Sequence, residues 1–412
     1  MLLVYLSTVS RPVSANGGRV HSRVAANVFA LGAVSLVTDI SSEMVTAILP
    51  VYLVVGLHLS PAAYGVLDGL YTGATALLRI VGGFIADRTQ HRKLVAGVGY
   101  ATSALMKPAL LLVGPSAAGI GAVIAFDRAG KGLRSAPRDA LITLSSPPGS
   151  LGRAFGVHRA MDSAGAFLGP LVALGVLAMS GQSFDAVFVA SFCIATLAVV
   201  LLGLYVRDQR NPLAPSGTVS LRSFRELVGD PAVRRIILAA SLLGLVTVGD
   251  GFVYLLLQKR EDLSIAWFPL LAVGTNLVYL LLAAPFGALA DRFGRVRMML
   301  SGYVALALVY LMLFGPVTGW PMLVATLFLH GVFYAATDGV LMALAGPVLP
   351  EGMRTTGIAM IQTAQALCYL VSSVAFGLAW QLWGAVHACQ VAAAAVAITI
   401  GMSAVLLRRR VS

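Results

Sequence analysis

Charge is scarce in this 412-residue chain: 11% of its residues are Asp, Glu, Lys or Arg, where a soluble domain carries about a quarter. Water cannot be its main solvent. Cysteine is scarce too. Cys193, Cys368 and Cys389 all lie inside apolar stretches without metal-ligand spacing, which argues against a disulfide framework or a metal site. No G-x-x-x-x-G-K-[ST] loop is present, and Gly130-Lys131-Gly132 sits in an apolar stretch rather than after a strand, so ATP hydrolysis is not built in. No Ser-His-Asp or Cys-His grouping suggests an enzyme, and no cofactor is implied.

What the chain has is apolar length. Hydrophobic residues make up 58% of it, and the mean hydropathy is +0.88. Crossing the hydrocarbon layer takes roughly 20 apolar residues, and inside lipid the backbone must satisfy its own hydrogen bonds, so long apolar runs imply helices. The expected spans are 25–56, 62–86, 93–113, 116–143, 153–180 and 183–206, then 233–257, 264–290, 297–316, 319–347, 354–382 and 385–407. This is an all-α, multi-pass membrane protein with lipid as its main partner. Residues 1–24 read as a cytoplasmic tail, 25–206 and 233–407 as two six-helix bundles, 207–232 as a cytoplasmic linker and 408–412 as a basic tail.

The net charge of +12 could suggest a nucleic-acid partner, but its sources cluster in short connections, as topology requires. Arg88, Arg92, Lys93, Arg153, Arg207, Arg210, Arg234, Arg292, Arg295, Arg297, Arg354 and Arg408 all fall on one side if both termini are cytoplasmic. The opposite connections, around His58, Gly114, Gly181 and Gly315, lack Lys and Arg; only Lys259 and Arg260 depart from the pattern. Trp267, Trp320, Trp380 and Trp383 lie near span ends, where interfacial anchors are expected.

The two bundles look duplicated. Gly83-Phe-Ile-Ala-Asp87-Arg88 is echoed by Gly287-Ala-Leu-Ala-Asp291-Arg292, an offset of 291 − 87 = 204, and Arg153-Ala-Phe-Gly156 by Arg354-Thr-Thr-Gly357, an offset of 354 − 153 = 201. The loop from Gly83 to Lys93 resembles the major facilitator signature G-x-L-a-D-r-x-G-r-k, with Gln90 in place of the inner glycine that the second copy keeps as Gly294. The resemblance covers about residues 25–407. It implies two bundles related by a pseudo-two-fold axis along the membrane normal, acting as a monomer in the cell membrane on a small-molecule substrate.

Gly83 and Gly287 can permit close helix approach, and Asp87, Arg88, Asp291 and Arg292 can make charge contacts that lock one conformation. Span four carries Asp127-Arg128-Ala-Gly-Lys131-Gly-Leu-Arg134. It resembles a motif of proton-coupled facilitators, with Lys131 where glutamine is usual. Arg128 lies about 12 residues from the outer end, roughly 18 Å deep at the helical rise, too deep for lipid contact. Arg128, Lys131, Arg134 and Arg138 form one stripe.

Span five carries His158, Asp162, Gly165 and Gly169-Pro170 on one face. It resembles an antiporter-associated motif, which favours export by exchange. In span one, Asp39 and Glu43 repel at i and i+4 unless one is protonated or paired. One is therefore a natural proton carrier, modulated by Arg128 and Lys131; the alternative is a fixed ion pair with the basic stripe. Asp162, His158, Arg134, Asp250 and Asp338 are expected to shape the solute cavity, with Asp68, Lys107, His330 and Arg79 as further charged positions inside spans. The expected function is proton-coupled efflux of a drug-like compound or metabolite. A carrier of organic anions is the alternative, and a membrane-embedded enzyme or receptor a distant one.

Overall fold

The computed structural model describes residues 25–89, 91–146, 151–208, 228–349 and 354–408, with side chains except at 76–89, 152, 354–356 and 408. The expected tails at 1–24 and 409–412, and 209–227 of the linker, lie outside the described residues. All regular structure among the described residues is helical. The elements are α1 (Ala26–Val51, extended by a π turn at Tyr52–Gly56), α2 (Pro61–Thr89), α3 (Arg92–Val113), α4 (Ala117–Leu144), α5 (Leu151–Met179) and α6 (Phe184–Tyr205). There follow α7 (Pro231–Leu245), α8 (Asp250–Arg260), α9 (Phe268–Phe293), α10 (Arg295–Phe314), α11 (Trp320–Thr337), α12 (Val340–Ala345) and α13 (Arg354–Arg408).

Nine helical segments among the described residues are long and apolar enough to cross a bilayer. Helix α4 matches them in length, at 28 residues, but carries its charges through its middle. The outer surface is oily, as lipid contact requires: Leu112, Met179, Leu204 and Leu382 are among the exposed large side chains.

Three helical runs are broken. Gly384 (φ 84, ψ 164) divides α13, Gly339 (φ 78) separates α11 from α12, and residues 246–249 separate α7 from α8. Unpaired backbone inside a membrane is costly, and Tyr310 of α10 satisfies part of this last break. Its hydroxyl accepts from the Val248 N–H at 2.9 Å and donates to the Val246 carbonyl at 3.2 Å.

Helix α1 packs on α5 and α6, α3 on α4 and α6, and α2 on α4; in the second half of the chain, α9 packs on α11, and α13 on α7 and α10. The most extensive pairings between the halves are α2 with α13 and α5 with α9, and α1 also meets α8 and α9.

Candidate functional site

Two glycine-mediated crossings position the charges of the first six helices. Gly99 of α3 meets Gly130 of α4 so closely that a Cβ on Gly99 would lie 2.6 Å from the Gly130 carbonyl oxygen. Ser103 and Lys107 follow Gly99 at intervals of four, on the same face, and so face α4. Lys107 Nζ donates to Asp127 Oδ1 at 2.6 Å, while Arg128 Nε donates to Asp127 Oδ2 at 2.9 Å and its Nη2 contacts the same oxygen. The Arg128 guanidinium also lies 3.8 Å from the Tyr71 ring centre. Arg128 was expected to modulate Asp39 or Glu43; its direct partner is Asp127, because the α3–α4 crossing closes this three-residue ion group on itself.

At the second crossing, Gly165 and Gly169 of α5 press on α1. Added Cβ atoms would lie 2.4 Å from the Leu36 carbonyl oxygen and 2.7 Å from the Glu43 Cβ. Asp162 and His158 continue that face toward α1 and α4. His158 Nε2 is 3.0 Å from Ser35 Oγ. Arg138 Nη1 lies 3.7 Å from Asp162 and 3.3 Å from Ser35 Oγ, and Arg138 also pairs with Asp139 at 3.1 Å. Arg159 lies 3.6 Å from Asp162. Arg134 stands 3.9 Å from Asp39, donates to Ser103 Oγ at 3.1 Å and lies over the Tyr100 ring. Asp39 also lies against α5 one turn from Asp162, for a Cβ on Gly165 would stand 3.1 Å from the Asp39 Cβ. Pro170 lies within α5.

The later helices build a different environment. Asp250, in the first turn of α8, accepts from the Tyr334 hydroxyl and has His330 Nε2 at 3.4 Å. Asp338, exposed at the α11 break, accepts from Tyr279 at 2.8 Å. Tyr279 and Tyr334 meet edge to face, 6.4 Å apart. His158, Asp162 and Arg134, expected to shape the solute cavity with Asp250 and Asp338, lie in the ion group of α1, α4 and α5.

Between the halves, Asp68 of α2 accepts from Tyr369 at 2.9 Å and from Ser373 at 2.6 Å, both on α13. Gly65, Gly69 and Gly73 bring the two helices together; a Cβ on Gly65 would lie 2.4 Å from the Ser373 carbonyl oxygen. Tyr64, Phe252, Phe376 and Trp380 stack beside this seam. Trp380 is therefore a packing residue rather than an interfacial anchor, whereas Trp267, Trp320 and Trp383 are exposed. The Asp68 clasp was not anticipated. Its signal was the glycine at every fourth position beside an intramembrane carboxylate.

Of the repeated loop residues, the side chains of Gly83, Asp87 and Arg88 lie outside those described. In the second copy, Asp291 pairs with Arg295 at 3.0 Å, Arg295 also donates to the Ala343 carbonyl, and Arg292 lies over Phe293. Gly287 was expected at a close helix approach, yet among the described residues a Cβ there would meet nothing within 4 Å.

The model of the Major Facilitator Superfamily matches residues 31–276 and 261–412. The chain belongs to the major facilitator superfamily. An uncharacterised transporter of the superfamily from Methanocaldococcus jannaschii is 30% identical over 86% of this chain and 89% of its own length. An uncharacterised Mycobacterium bovis protein is 31% identical over 42% of this chain and 44% of its own. Among solved structures, the nucleoside transporter NupG superposes with a TM-score of 0.79 at 13% identity, covering 93% of this chain and 100% of NupG. A sulfate complex of the peptide transporter POT gives 0.71 at 17% over 93% and 95%. An inward-facing, unoccupied bacterial homologue of the lysosomal transporter Spinster gives 0.67 at 14% over 93% and 94%. This major facilitator transporter thus shares a fold with carriers of differing solutes, so the fold does not choose among them.

Proposed function

We propose that this protein is a secondary active transporter that moves a small molecule by alternating access, in exchange for protons. On this reading twelve spans divide into six before the linker at 207–232 and six after it, with both termini cytoplasmic in the cell membrane. The observation that carries proton coupling is the placing of Asp39 and Asp162 across the α1–α5 crossing, with Arg134 3.9 Å from the first and Arg138 3.7 Å from the second. Neighbouring carboxylates repel, which favours a proton on one of them. Removing that proton frees a charge that the neighbouring guanidinium groups can take up, so loading and unloading change which ion pairs hold α1, α4 and α5 together.

The conformation is read as inward-facing. The α2–α13 seam with Asp68 and the aromatic stack lies at the end of α2 near Pro61, beside the connection without Lys or Arg that topology places outside. Gly287, near the opposite surface, has open space beside it. The likeness to an inward-facing Spinster homologue agrees with this reading.

The test is solute uptake into proteoliposomes with an acid lumen, screened against metabolites, siderophores and antibiotics. Wild-type protein is expected to accumulate at least one solute while protons leave, and Asp39→Asn with Glu43→Gln to abolish the dependence on the gradient. Undiminished coupling in the double variant rules these carboxyl groups out as carriers. No gradient-driven uptake by the wild type contradicts proton exchange.

A further inference from the structure

Among the described residues, Lys107 and the cations of the α4 stripe other than Lys131 are each held by a direct partner. Lys107 and Arg128 are held by Asp127, Arg134 by Asp39, Ser103 and the Tyr100 ring, and Arg138 by Asp139, Asp162 and Ser35. Lys131 lies on the same stripe of α4 and is only partly buried. Among the described residues no hydrogen bond or ion pair holds its ammonium; Asp39 and Glu43 act on it only through longer-range electrostatics.

Across the molecule, the spans of α7–α13 place no Lys or Arg at mid-depth among the described residues. They present Asp250, whose side chain is 44% exposed. Behind it His330 is fully buried and its two ring nitrogens have no hydrogen-bond partner, with Nε2 3.4 Å from the Asp250 carboxylate. Tyr334 donates to the same carboxylate, and its ring lies 5.3 Å from that of His330. A carboxylate framed by aromatic rings is the chemistry that recognises an ammonium group.

A solute with positive charge alone would face the Lys131 stripe, and one with negative charge alone would face Asp250. A neutral solute would supply a counter-ion to neither Lys131 nor Asp250 in a low-dielectric setting, where that is costly. We propose that the solute is amphoteric, an amine and an oxyanion joined by a spacer, with the oxyanion at Lys131 and the ammonium at Asp250. This rests on the transport reading but concerns recognition, and the two can fail separately.

The test is binding to the purified full-length protein in nanodiscs at pH 7, read as ligand-dependent thermal stabilisation. The probes are 4-aminobutyrate, 6-aminohexanoate, 8-aminooctanoate and 11-aminoundecanoate, each beside its N-acetyl and methyl-ester derivatives, with aminoalkylphosphonates of matching length to show which oxyanion is preferred. At least one length of the parent compounds is expected to bind, with both masked forms about 10- to 100-fold weaker. Lys131→Gln should erase the preference for acid over ester alone, and Asp250→Asn the preference for amine over acetamide alone. Lys131→Arg and Asp250→Glu should restore them, which separates recognition from misfolding. Equal binding of parent and masked forms, preferences unchanged in the variants, or a series with no binding at any length would overturn the proposal. A protein that bound the parent compounds and moved none of them would refute transport while leaving recognition intact.

Discussion

The interior of α1–α6 and the interior of α7–α13 handle polarity in opposite ways. In the first, carboxylates are shared between cations and held at glycine crossings: Asp127 takes Lys107 and Arg128, and Asp162 takes Arg138 and Arg159. In the second, carboxylates are met by phenols and a histidine, as at Asp250 with Tyr334 and His330 and at Asp338 with Tyr279. An ion group closed on itself is rigid and responds sharply to one proton. A carboxylate held by hydroxyl groups stays accessible and can accept a visiting cation. The contrast suggests a division of labour between coupling and recognition.

The largest effect should come from opening the ion group. Asp127→Asn leaves Lys107 and Arg128 buried without a counter-charge, a loss of about 3–5 kcal/mol. A marked fall in the melting temperature of purified protein checks it, and adding Lys107→Met should recover part of the loss. Next, Gly165→Leu forces a side chain against the Leu36 carbonyl, an overpacking cost of about 1–3 kcal/mol or more. Gly287→Leu, which meets open space, should be tolerated in the same assay, and equal damage from both would refute the difference in packing.

Smaller still is Asp68→Ala, which removes the two hydrogen bonds from Tyr369 and Ser373, about 1–2 kcal/mol in all. It should shift the population toward an outer opening, seen as longer distances between spin labels placed near Pro61 and Gly377. Unchanged distances would remove Asp68 from the seam. The smallest change in stability is expected for Asp250→Asn, within about 1 kcal/mol, because that side chain is already half exposed.

Much of the helix layout was legible, since an apolar run of membrane length has few alternatives to a helix. The breaks were not. The interruption at 246–249 depends on a hydroxyl from Tyr310, more than sixty positions away in the chain, and no local pattern announces it. Charged positions inside spans stood out because each is costly there, so Asp39, Arg128, Asp162 and Asp250 could be singled out from the sequence. Their partners could not. A helical stripe offers several pairings, and the choice of Asp127 for Arg128 follows from where Gly99 meets Gly130. The Asp68 clasp was hidden because its donors, Tyr369 and Ser373, are ordinary residues until α13 is laid against α2.

The most direct test of the division of labour is to count protons exchanged when a solute binds, using the tightest-binding aminoalkanoate and a pH-indicator dye with detergent-purified protein. Wild-type protein is expected to exchange protons on binding, Asp39→Asn to bind the compound with little or no exchange, and Asp250→Asn to lose affinity. Full proton exchange in Asp39→Asn, or undiminished affinity in Asp250→Asn, would contradict the assignment of coupling to the first six helices and of ammonium recognition to the rest.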